Sequence, residues 1–477
     1  MSHWALPALA VMLIAYGAVS GRLRSTPVSQ AMVFVTLGLL VGNRTLDLFG
    51  VGADTPVIRH LAEATLTLVL FCDAIRVNRG RLRRESGVPA RLLGIGLPLT
   101  IVAGTLAAVA LFPSLDLWTA AALATMLAPT DAALGLPVVT DPRLPPRIRQ
   151  GLNVESGLND GVCVPLLIIF LTIAQAEEGV GHVEPVRVVI EEIGVGAAAG
   201  VVAGALGAWV LRMFTRRGWM EGTWRQIDAA ATALLAYTLA AALGGSGFIA
   251  AFTGGIVFGV VAADQAEDAT FLAEQTGELL NAVTFLLFGA VLLGPALGEL
   301  DWPIALYGVA SLTLVRILPV ALAMAGTGLH RVTVGFLGWF GPRGLASIVF
   351  VLILLEGTEL PERPLMLTVV TWTVALSVYA HGLTARPGAT RYADWYHARH
   401  EDHGVMPESV PVSEQRPSVP ALHQRRSSVP RSGRRVQAVG DDRGDLGMGQ
   451  VVLDGVLVGA RVGHGELPAQ PAPLGEG

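Results

Sequence analysis

The chain has 477 residues, of which 52% are hydrophobic and 15% charged, with a net charge of −5 and a mean hydropathy of +0.57. Because an average soluble domain has roughly a quarter of its residues charged, this composition excludes an ordinary soluble enzyme and favours the lipid bilayer. The two cysteines, Cys72 and Cys163, fall inside apolar segments and have neither disulfide nor metal-ligand spacing.

Apolar runs long enough to cross a bilayer recur from the N-terminus to about residue 385. Runs of roughly 17 to 25 residues are typical of transmembrane helices. The first run is interpreted as a helix and not as a signal peptide, because Arg22 and Arg24 follow it and no basic region precedes it. The sequence therefore predicts an all-α polytopic membrane protein with about thirteen transmembrane helices, at 4–20, 28–50, 57–75, 88–112, 116–139, 147–175, 185–213, 224–243, 246–264, 270–297, 302–324, 329–356 and 363–385.

Arginine carries the whole topological signal, since the chain contains no lysine. Short cytoplasmic loops are enriched in basic residues. The loops after the first, third, fifth and seventh predicted helices hold the arginines at 22, 24, 76, 79, 81, 83, 84, 143, 147, 149, 212, 216, 217 and 225. This pattern predicts an N-terminus outside and a C-terminus in the cytoplasm. The acidic loop 263–278 disagrees, and we have no physical account of it.

The composition changes beyond residue 385. Residues 386–477 are rich in Arg, Pro, Ser and Gly and offer little that could form a core, so they are predicted to be a disordered cytoplasmic tail. The apolar stretch Val451 to Val458 is too short to span a membrane. The membrane unit is thus predicted to be residues 1–385.

The densest group of polar residues within an apolar run lies between Asn153 and Asp160. A charged side chain at mid-membrane costs at least ~2.5 to 3.5 kcal/mol, so its retention indicates a function. The i, i+4 spacing places Glu155 beside Asn159 and Ser156 beside Asp160 on one helix face. Such a face supplies oxygen ligands to a cation.

Two other runs are interrupted. Pro129 and Pro137 interrupt 116–139 around Asp131, and the segment 341–344 (Gly-Pro-Arg-Gly) interrupts 329–356. Proline frees backbone carbonyls, which are tolerated at membrane depth where they line a cavity or are buried in protein. A pair of broken helices in corresponding halves of a chain indicates a transporter's binding site.

Several charges have two possible roles on the sequence alone. Glu155 is predicted to pair with a buried arginine, either Arg316 or Arg343, because an unpaired charge would be costly there. Asp73 is either a third carboxylate of the cation site or an interfacial charge that reaches water. Glu63 and Asp228 are interpreted as interfacial or paired residues.

Together, three motifs resemble the NhaP-type Na+/H+ antiporters, the monovalent cation:proton antiporter family that also contains the animal sodium/proton exchangers. Thr130-Asp131 is similar to that family's broken-helix motif. Glu155-Ser156-x-x-Asn159-Asp160 is similar to its Asn-Asp signature, and the segment 341–344 to its Gly-x-Arg-Gly segment. The resemblance covers about 1–385 and implies an NhaA-like antiporter fold, with inverted repeats and two broken helices that cross.

The resemblance also implies roles for individual residues. Asp160 would be the principal carrier of cation and proton, and transported Na+ would bind Asp160 and Asp131. The residues that would coordinate or support the ion are Thr130 through its carbonyl, Ser156, Asn159 and, less directly, Asp73. Glu155 with Arg343 or Arg316 is predicted to support the site as a buried ion pair, for the reason given above. An Asn before Asp160 implies electroneutral one-for-one exchange.

Family members form homodimers in which a core moves against a dimerisation bundle. The resemblance implies a dimerisation bundle at about 1–75 and 224–297, and an ion-translocating core at about 88–175 and 302–385. It implies no cofactor; the expected partners are a monovalent cation, a proton, the lipid bilayer and a second copy of the chain, with no nucleic acid. The lysine-free, Arg-, Ala- and Gly-rich composition and the lack of a transit peptide favour a bacterial plasma membrane.

Alternatives remain on the sequence alone. Hard oxygen ligands suit Na+, Li+ or K+, so a K+/H+ antiporter of the same family is the nearest alternative. A cation channel would need a continuous pore and no coupling to protons. An intramembrane aspartyl protease is the enzyme alternative, because Gly157 to Asp160 faintly resembles that group's Gly-x-Gly-Asp pattern, but the partner Tyr-Asp motif is absent.

Overall fold

The computed structural model describes residues 3–23, 25–42, 45–46, 56–75, 87–179, 185–357, 360–403, 406–409, 449–453 and 456–460. The chain divides into two compact units, Met1–Leu422 and His423–Gly477. Within the described ranges, 7 helices are long and apolar enough to cross a membrane, and four shorter apolar helices accompany them. The multi-pass helical architecture is confirmed, while the count of thirteen crossings stays a prediction.

Every predicted apolar run contains at least one helix in the structure. The α-helices are α1 (Ala5–Leu23), α2 (Gln30–Val41), α3 (Pro56–Ile75), α4 (Gly87–Arg91), α5 (Leu97–Leu111), α6 (Leu117–Met126), α7 (Leu136–Thr140), α8 (Pro146–Glu177), α9 (Pro185–Arg216), α10 (Gly222–Ala242), α11 (Gly247–Val261), α12 (Ala266–Ala269), α13 (Phe271–Leu287), α14 (Gly294–Ala296), α15 (Trp302–Leu312), α16 (Leu314–Ala323), α17 (Arg331–Trp339), α18 (Leu345–Gly357) and α19 (Arg363–His403). Short π-helical stretches, Leu92–Gly96 and Phe288–Leu293, join α4 to α5 and α13 to α14.

Polar caps define where several of these apolar helices begin. The side chain of Ser29 accepts a hydrogen bond from Met32 N at the start of α2, and Asp116 accepts from two amides of the first turn of α6. Ser246 caps α11 in the same way. A capping oxygen satisfies N–H groups that have no partner within the helix, which is essential where no water is present.

The two interrupted helices are present and their interruptions meet. Residues 127–135 separate α6 from α7, and residues 340–344 separate α17 from α18. The backbone amide of Asp131 donates to the carbonyl of Pro342 at 2.8 Å, so the two breaks lie against each other. Pro129 lies in the first gap as predicted. Pro137 does not interrupt a helix but occupies the first turn of α7, where its missing N–H costs no hydrogen bond.

The helices of the first unit pack in two groups. In one, α9 packs on α10 and α11, α11 packs on α3, and α3 and α2 both pack on α13. In the other, α5 packs on α6, α6 on α8, α15 on α19 and α16 on α17. Contacts of α8 with α3 and α9 join the groups. The assignment of these groups to a dimerisation bundle and a moving core stays a prediction.

The last long helix corrects the predicted boundary of the tail. Helix α19 continues to His403, so residues 386–403 are helical and the predicted start of a disordered tail at 386 is wrong. An apolar face accounts for this helix, because the side chains at Ala389, Tyr392 and Ala393 are buried and Tyr392 stacks on Phe336 of α17 at 4.1 Å. The spacing of these residues is helical even though the segment is polar overall.

A short segment after α19 returns to the membrane unit. A 3-10 turn at Pro407–Ser409 follows, and the buried carboxylate of Glu408 accepts hydrogen bonds from His330 N and Thr333 Oγ1, each at 2.8 Å. Arg147 of α8 donates to the carbonyl of Pro407 at 2.6 Å. The chain beyond 385 therefore begins as packed structure.

In the second unit, β1 (Gly449–Leu453) pairs antiparallel with β2 (Val456–Ala460), and Val451 lies opposite Val458. The described residues of the apolar stretch predicted to be too short for a membrane span belong to these two strands. The predicted arginine-rich loop 76–86, the residue Arg24 and the tail segments 410–448 and 461–477 lie outside the described residues.

Candidate cation site

Asp131 lies where the two breaks cross and binds backbone amides. Its Oδ2 accepts from Leu345 N at the start of α18 at 3.0 Å, and its Oδ1 accepts from Ala133 N at 2.8 Å. The amino end of a helix presents unpaired N–H groups and partial positive charge, which favour a carboxylate. Asp131 thus joins the first break to the first turn of the second broken helix.

Two glycines allow this close crossing. A Cβ added at Gly344 would collide with the Asp131 carboxylate, and a Cβ added at Gly341 would lie 2.5 Å from Arg316 Nε. Any larger residue at Gly344 would displace the carboxylate from the crossing. The glycines of the segment 341–344 are therefore explained by close approach to two charged side chains.

One face of α8 binds the first break. Ser156 Oγ donates to the Thr130 carbonyl at 2.6 Å, and Asn159 Nδ2 donates to Thr130 Oγ1 at 2.7 Å. All three residues are buried. The structure thus brings together the predicted ligand Thr130 and two predicted residues of α8, which lie 26 and 29 positions away in the chain.

Asp160 directly follows Asn159 on α8, one turn beyond Ser156, and is 8% exposed. Its Oδ1 has no hydrogen-bond partner among the described residues, and neither has Asn159 Oδ1. The charges of Asp131 and Asp73 both act on Asp160. A buried carboxylate oxygen without a donor is costly, and a proton or a cation removes that cost.

Asp73 lies against the same helix. A Cβ added at Gly157 of α8 would approach Asp73 Cβ to 3.2 Å, and the Asp73 side chain is partly exposed. Since Gly157 precedes Asp160 by three residues, Asp73 is placed beside the candidate site on α3. Whether Asp73 is a third carboxylate of the site or an interfacial charge that reaches water stays a prediction.

The structure also decides which arginine pairs with Glu155. Arg316 donates two hydrogen bonds to the Glu155 carboxylate, at 2.5 and 2.8 Å, and both side chains are 1% exposed. Arg343 instead donates to the carbonyls of Ala128 and Pro129 at 3.1 and 3.4 Å. One predicted arginine thus neutralises a buried acid, and the other holds carbonyls released by the first break.

Three further polar residues support the crossing and were not among the predicted site residues. Ser347 Oγ donates to the Met126 carbonyl at 2.7 Å, Ser377 Oγ accepts from Arg343 N at 2.6 Å, and His381 Nε2 lies 2.9 Å from the Trp339 carbonyl. An ionisable residue inside an apolar run was the signal available for His381. The two serines gave none, since an isolated serine usually serves helix packing.

Comparison with known proteins decides the family. Residues 9–390 match the family model described as the transmembrane sodium/hydrogen exchanger. The chain belongs to the sodium/hydrogen exchanger family. This is a family of transporters and not of enzymes, so the intramembrane protease alternative is dropped, and the resemblance carried by the three motifs is confirmed.

A curated relative of this exchanger-family chain agrees with that assignment. It is 23% identical over 393 residues to a probable Na+/H+ antiporter of the fission yeast Schizosaccharomyces pombe, a match that covers 74% of this chain and 51% of the yeast protein. The chain thus spans about half the length of that curated relative.

Two solved structures show the fold. The sodium proton antiporter MjNhaP1 of Methanocaldococcus jannaschii at pH 8 superposes with a TM-score of 0.66 at 18% identity, covering 79% of this chain and 98% of that one. An electron-microscopy map of the same antiporter gives 0.64 at 18% identity, with 85% and 99% covered. The predicted antiporter fold is therefore confirmed.

Proposed function

We propose that this protein is a secondary antiporter that exchanges Na+ or Li+ for H+ across a membrane. The observation that carries the proposal is the buried Asp160 carboxylate, which has an oxygen without a hydrogen-bond partner among the described residues. The negative charges of Asp131 and Asp73 act on this carboxylate. Membership of the sodium/hydrogen exchanger family supports the same conclusion.

The proposed mechanism is competition for one carboxylate. Asp160 holds either a proton or a desolvated cation, while Asp131, the Thr130 carbonyl and Ser156 complete the oxygen ligands. Hard oxygen ligands suit small monovalent cations. An empty ionised site would be too costly to move through the bilayer interior, so only loaded states change orientation, and exchange is obligatory.

A one-for-one stoichiometry is part of the proposal. The residue before Asp160 is Asn159, an amide that donates to Thr130 Oγ1 and has no acidic proton to exchange. Glu155 is neutralised by Arg316, and Asp131 accepts hydrogen bonds from two backbone amides. In this proposal Asp131 and Asp73 keep the same charge throughout, and Asp160 alone alternates between one proton and one monovalent cation, which makes the exchange electroneutral.

The cellular setting is part of the proposal. The arginine-rich loops favour an N-terminus outside and a cytoplasmic C-terminus, and the composition favours a bacterial plasma membrane. Two copies of the chain would associate through the group of helices that includes α2, α3 and α13, while the group that contains the crossing moves.

The test is dissipation of a preset pH gradient in proteoliposomes when Na+, Li+ and K+ are added in turn. The intact protein should respond to Na+ and Li+, and Asp160→Asn should not. Asp141→Asn is the matched control, since it neutralises a carboxylate paired with Arg143 in a loop outside the crossing. A response to K+ alone would replace the ion assignment, and no response to any cation at near-neutral pH would overturn the antiporter proposal.

A second measurement separates exchange from a channel. Imposing a membrane potential with a K+ ionophore should leave electroneutral Na+/H+ exchange unchanged. Cation flux that follows the imposed potential without proton movement would instead indicate a channel.

A further inference from the structure

Helix α19 binds both ends of the second break. Trp339 is the last residue of α17, and Arg343 lies two residues before Leu345, the first residue of α18. The Trp339 carbonyl lies 2.9 Å from His381 Nε2, and Arg343 N donates to Ser377 Oγ at 2.6 Å. Ser377 and His381 are fully buried and are separated by four positions, so they lie on one face of α19.

One contact of the imidazole fixes where a proton lies. A carbonyl only accepts hydrogen bonds, so His381 Nε2 must carry a hydrogen and donate to Trp339. On the other side of the ring, His381 Nδ1 lies 3.1 Å from the carbonyl of Ser377 and 3.2 Å from its hydroxyl.

These contacts hold both ends of the break. Ser377 Oγ accepts from Arg343 N, while the ring of His381 contacts Ser377 through Nδ1 and donates to the Trp339 carbonyl through Nε2. A backbone group at each end of the break is thus satisfied by α19.

The segment held in this way positions Asp131. Within it, the Pro342 carbonyl accepts from Asp131 N at 2.8 Å, and just after it Leu345 N donates to Asp131 Oδ2 at 3.0 Å. A shift of the break relative to α19 would move both contacts together. The geometry of Asp131 therefore depends on two residues that do not touch it.

We propose that Ser377 and His381 are positioning residues of the cation site, and that they set cation affinity by holding residues 340–344 against α19 through Arg343 N and the Trp339 carbonyl. This inference rests on the proposed function for the identity of the transported ion. The hydrogen bonds themselves do not depend on it.

Four variants test the affinity effect by the half-saturating Na+ concentration for exchange. His381→Leu removes the donor to the Trp339 carbonyl and Ser377→Ala removes the acceptor of Arg343 N, so each should raise that concentration about tenfold while the maximal rate changes less. His381→Gln keeps an amide donor for Trp339 and should stay within about threefold of the intact protein. The control Thr384→Val removes a 3.0 Å hydrogen bond from the Trp339 indole to the same helix and should leave the concentration unchanged.

A measurement independent of transport tests the same contacts. Nitrogen-15 NMR of histidine-labelled protein in nanodiscs, with the His381 signal assigned from its loss in a His381 variant, should report a hydrogen on Nε2. In Ser377→Ala the Nδ1 signal should shift, because that nitrogen loses its contact with the serine hydroxyl.

The outcomes are separable. A His381 Nε2 that carries no hydrogen overturns the proposal whatever the transport results, and so does an equal loss of affinity in Thr384→Val and His381→Leu. If the intact protein shows no cation-coupled proton movement, the proposed function fails, while the NMR result still decides the contact between His381 and Trp339. If His381→Leu does not fold, Ser377→Ala and the NMR measurement remain decisive.

Discussion

Two regions of the membrane unit are held together by opposite means. Between α9 and α11 the contact is made by backbones, because a Cβ added at Gly196 would lie 2.7 Å from the Ser246 carbonyl and one at Gly204 would collide with Gly254. At the crossing of the breaks the contact is made by polar side chains, such as the Asp131 carboxylate, which accepts a hydrogen bond from Leu345 N. Unbroken helices have no free backbone groups to satisfy, whereas interrupted ones do.

The difference separates stability from ion binding. Glycines at a spacing of four let unbroken helices approach closely in lipid, where van der Waals packing drives association. The crossing instead leaves Asp160 Oδ1 without a partner among the described residues. Changes between α9 and α11 should therefore alter stability alone, and changes at the crossing should alter cation affinity.

The largest effect is expected where the crossing itself depends on a buried ion pair. Arg316→Met leaves the Glu155 charge buried without its partner and should lower the free energy of unfolding by ~3 to 5 kcal/mol. The double variant Glu155→Gln with Arg316→Met should recover most of this loss. Thermal unfolding in detergent measures both, and a double variant no more stable than the single one would contradict the pairing.

The next largest effect on stability is expected at the backbone contact between α9 and α11. Gly204→Leu should destabilise the protein by ~1 to 3 kcal/mol through overpacking against α11. The folded fraction should keep its half-saturating Na+ concentration. Gly194→Leu is the control on the same helix, since no atom lies within 4 Å of a Cβ added there, and it should unfold like the intact protein.

At the crossing, a smaller change should affect ion binding instead. Gly344→Ala places a methyl group against the Asp131 carboxylate and should raise the half-saturating Na+ concentration about tenfold, or ~1.4 kcal/mol. Transport assays in proteoliposomes measure it. Gly335→Ala, also on the second broken helix, meets no atom within 4 Å and should behave as the intact protein. Equal effects in the two variants would show that Asp131 is not the cause.

The smallest effect is expected outside both regions. Glu408→Ala removes the acceptor for His330 N and Thr333 Oγ1 and should cost ~1 kcal/mol of stability. Asp394→Ala, an exposed carboxylate on α19, is the control. If both variants unfold at the same temperature as the intact protein, the turn at Pro407–Ser409 contributes nothing to stability.

Much of the candidate site was predictable because its signals are local. Carboxylates and prolines within apolar runs stand out against a medium that excludes them, which is how Asp131, Asp160 and Pro129 were found. Pro137 was misread, since a proline in the first turn of a helix and one in its interior give the same signal in a sequence. Helix α19 was predicted too short because its buried face beyond 385 is narrow and the rest of that segment is polar.

The sequence by itself determined the medium, the approximate helices and the polar residues that must lie away from lipid, because apolar length and the cost of a buried charge are properties of short segments. Only the tertiary structure decided that Glu155 pairs with Arg316 and not Arg343. Only the tertiary structure also decided that Ser377 and His381 bind the two ends of the second break. These are contacts between helices far apart in the chain, and a hydrogen bond depends on sub-ångström geometry that only the packing of the whole unit supplies.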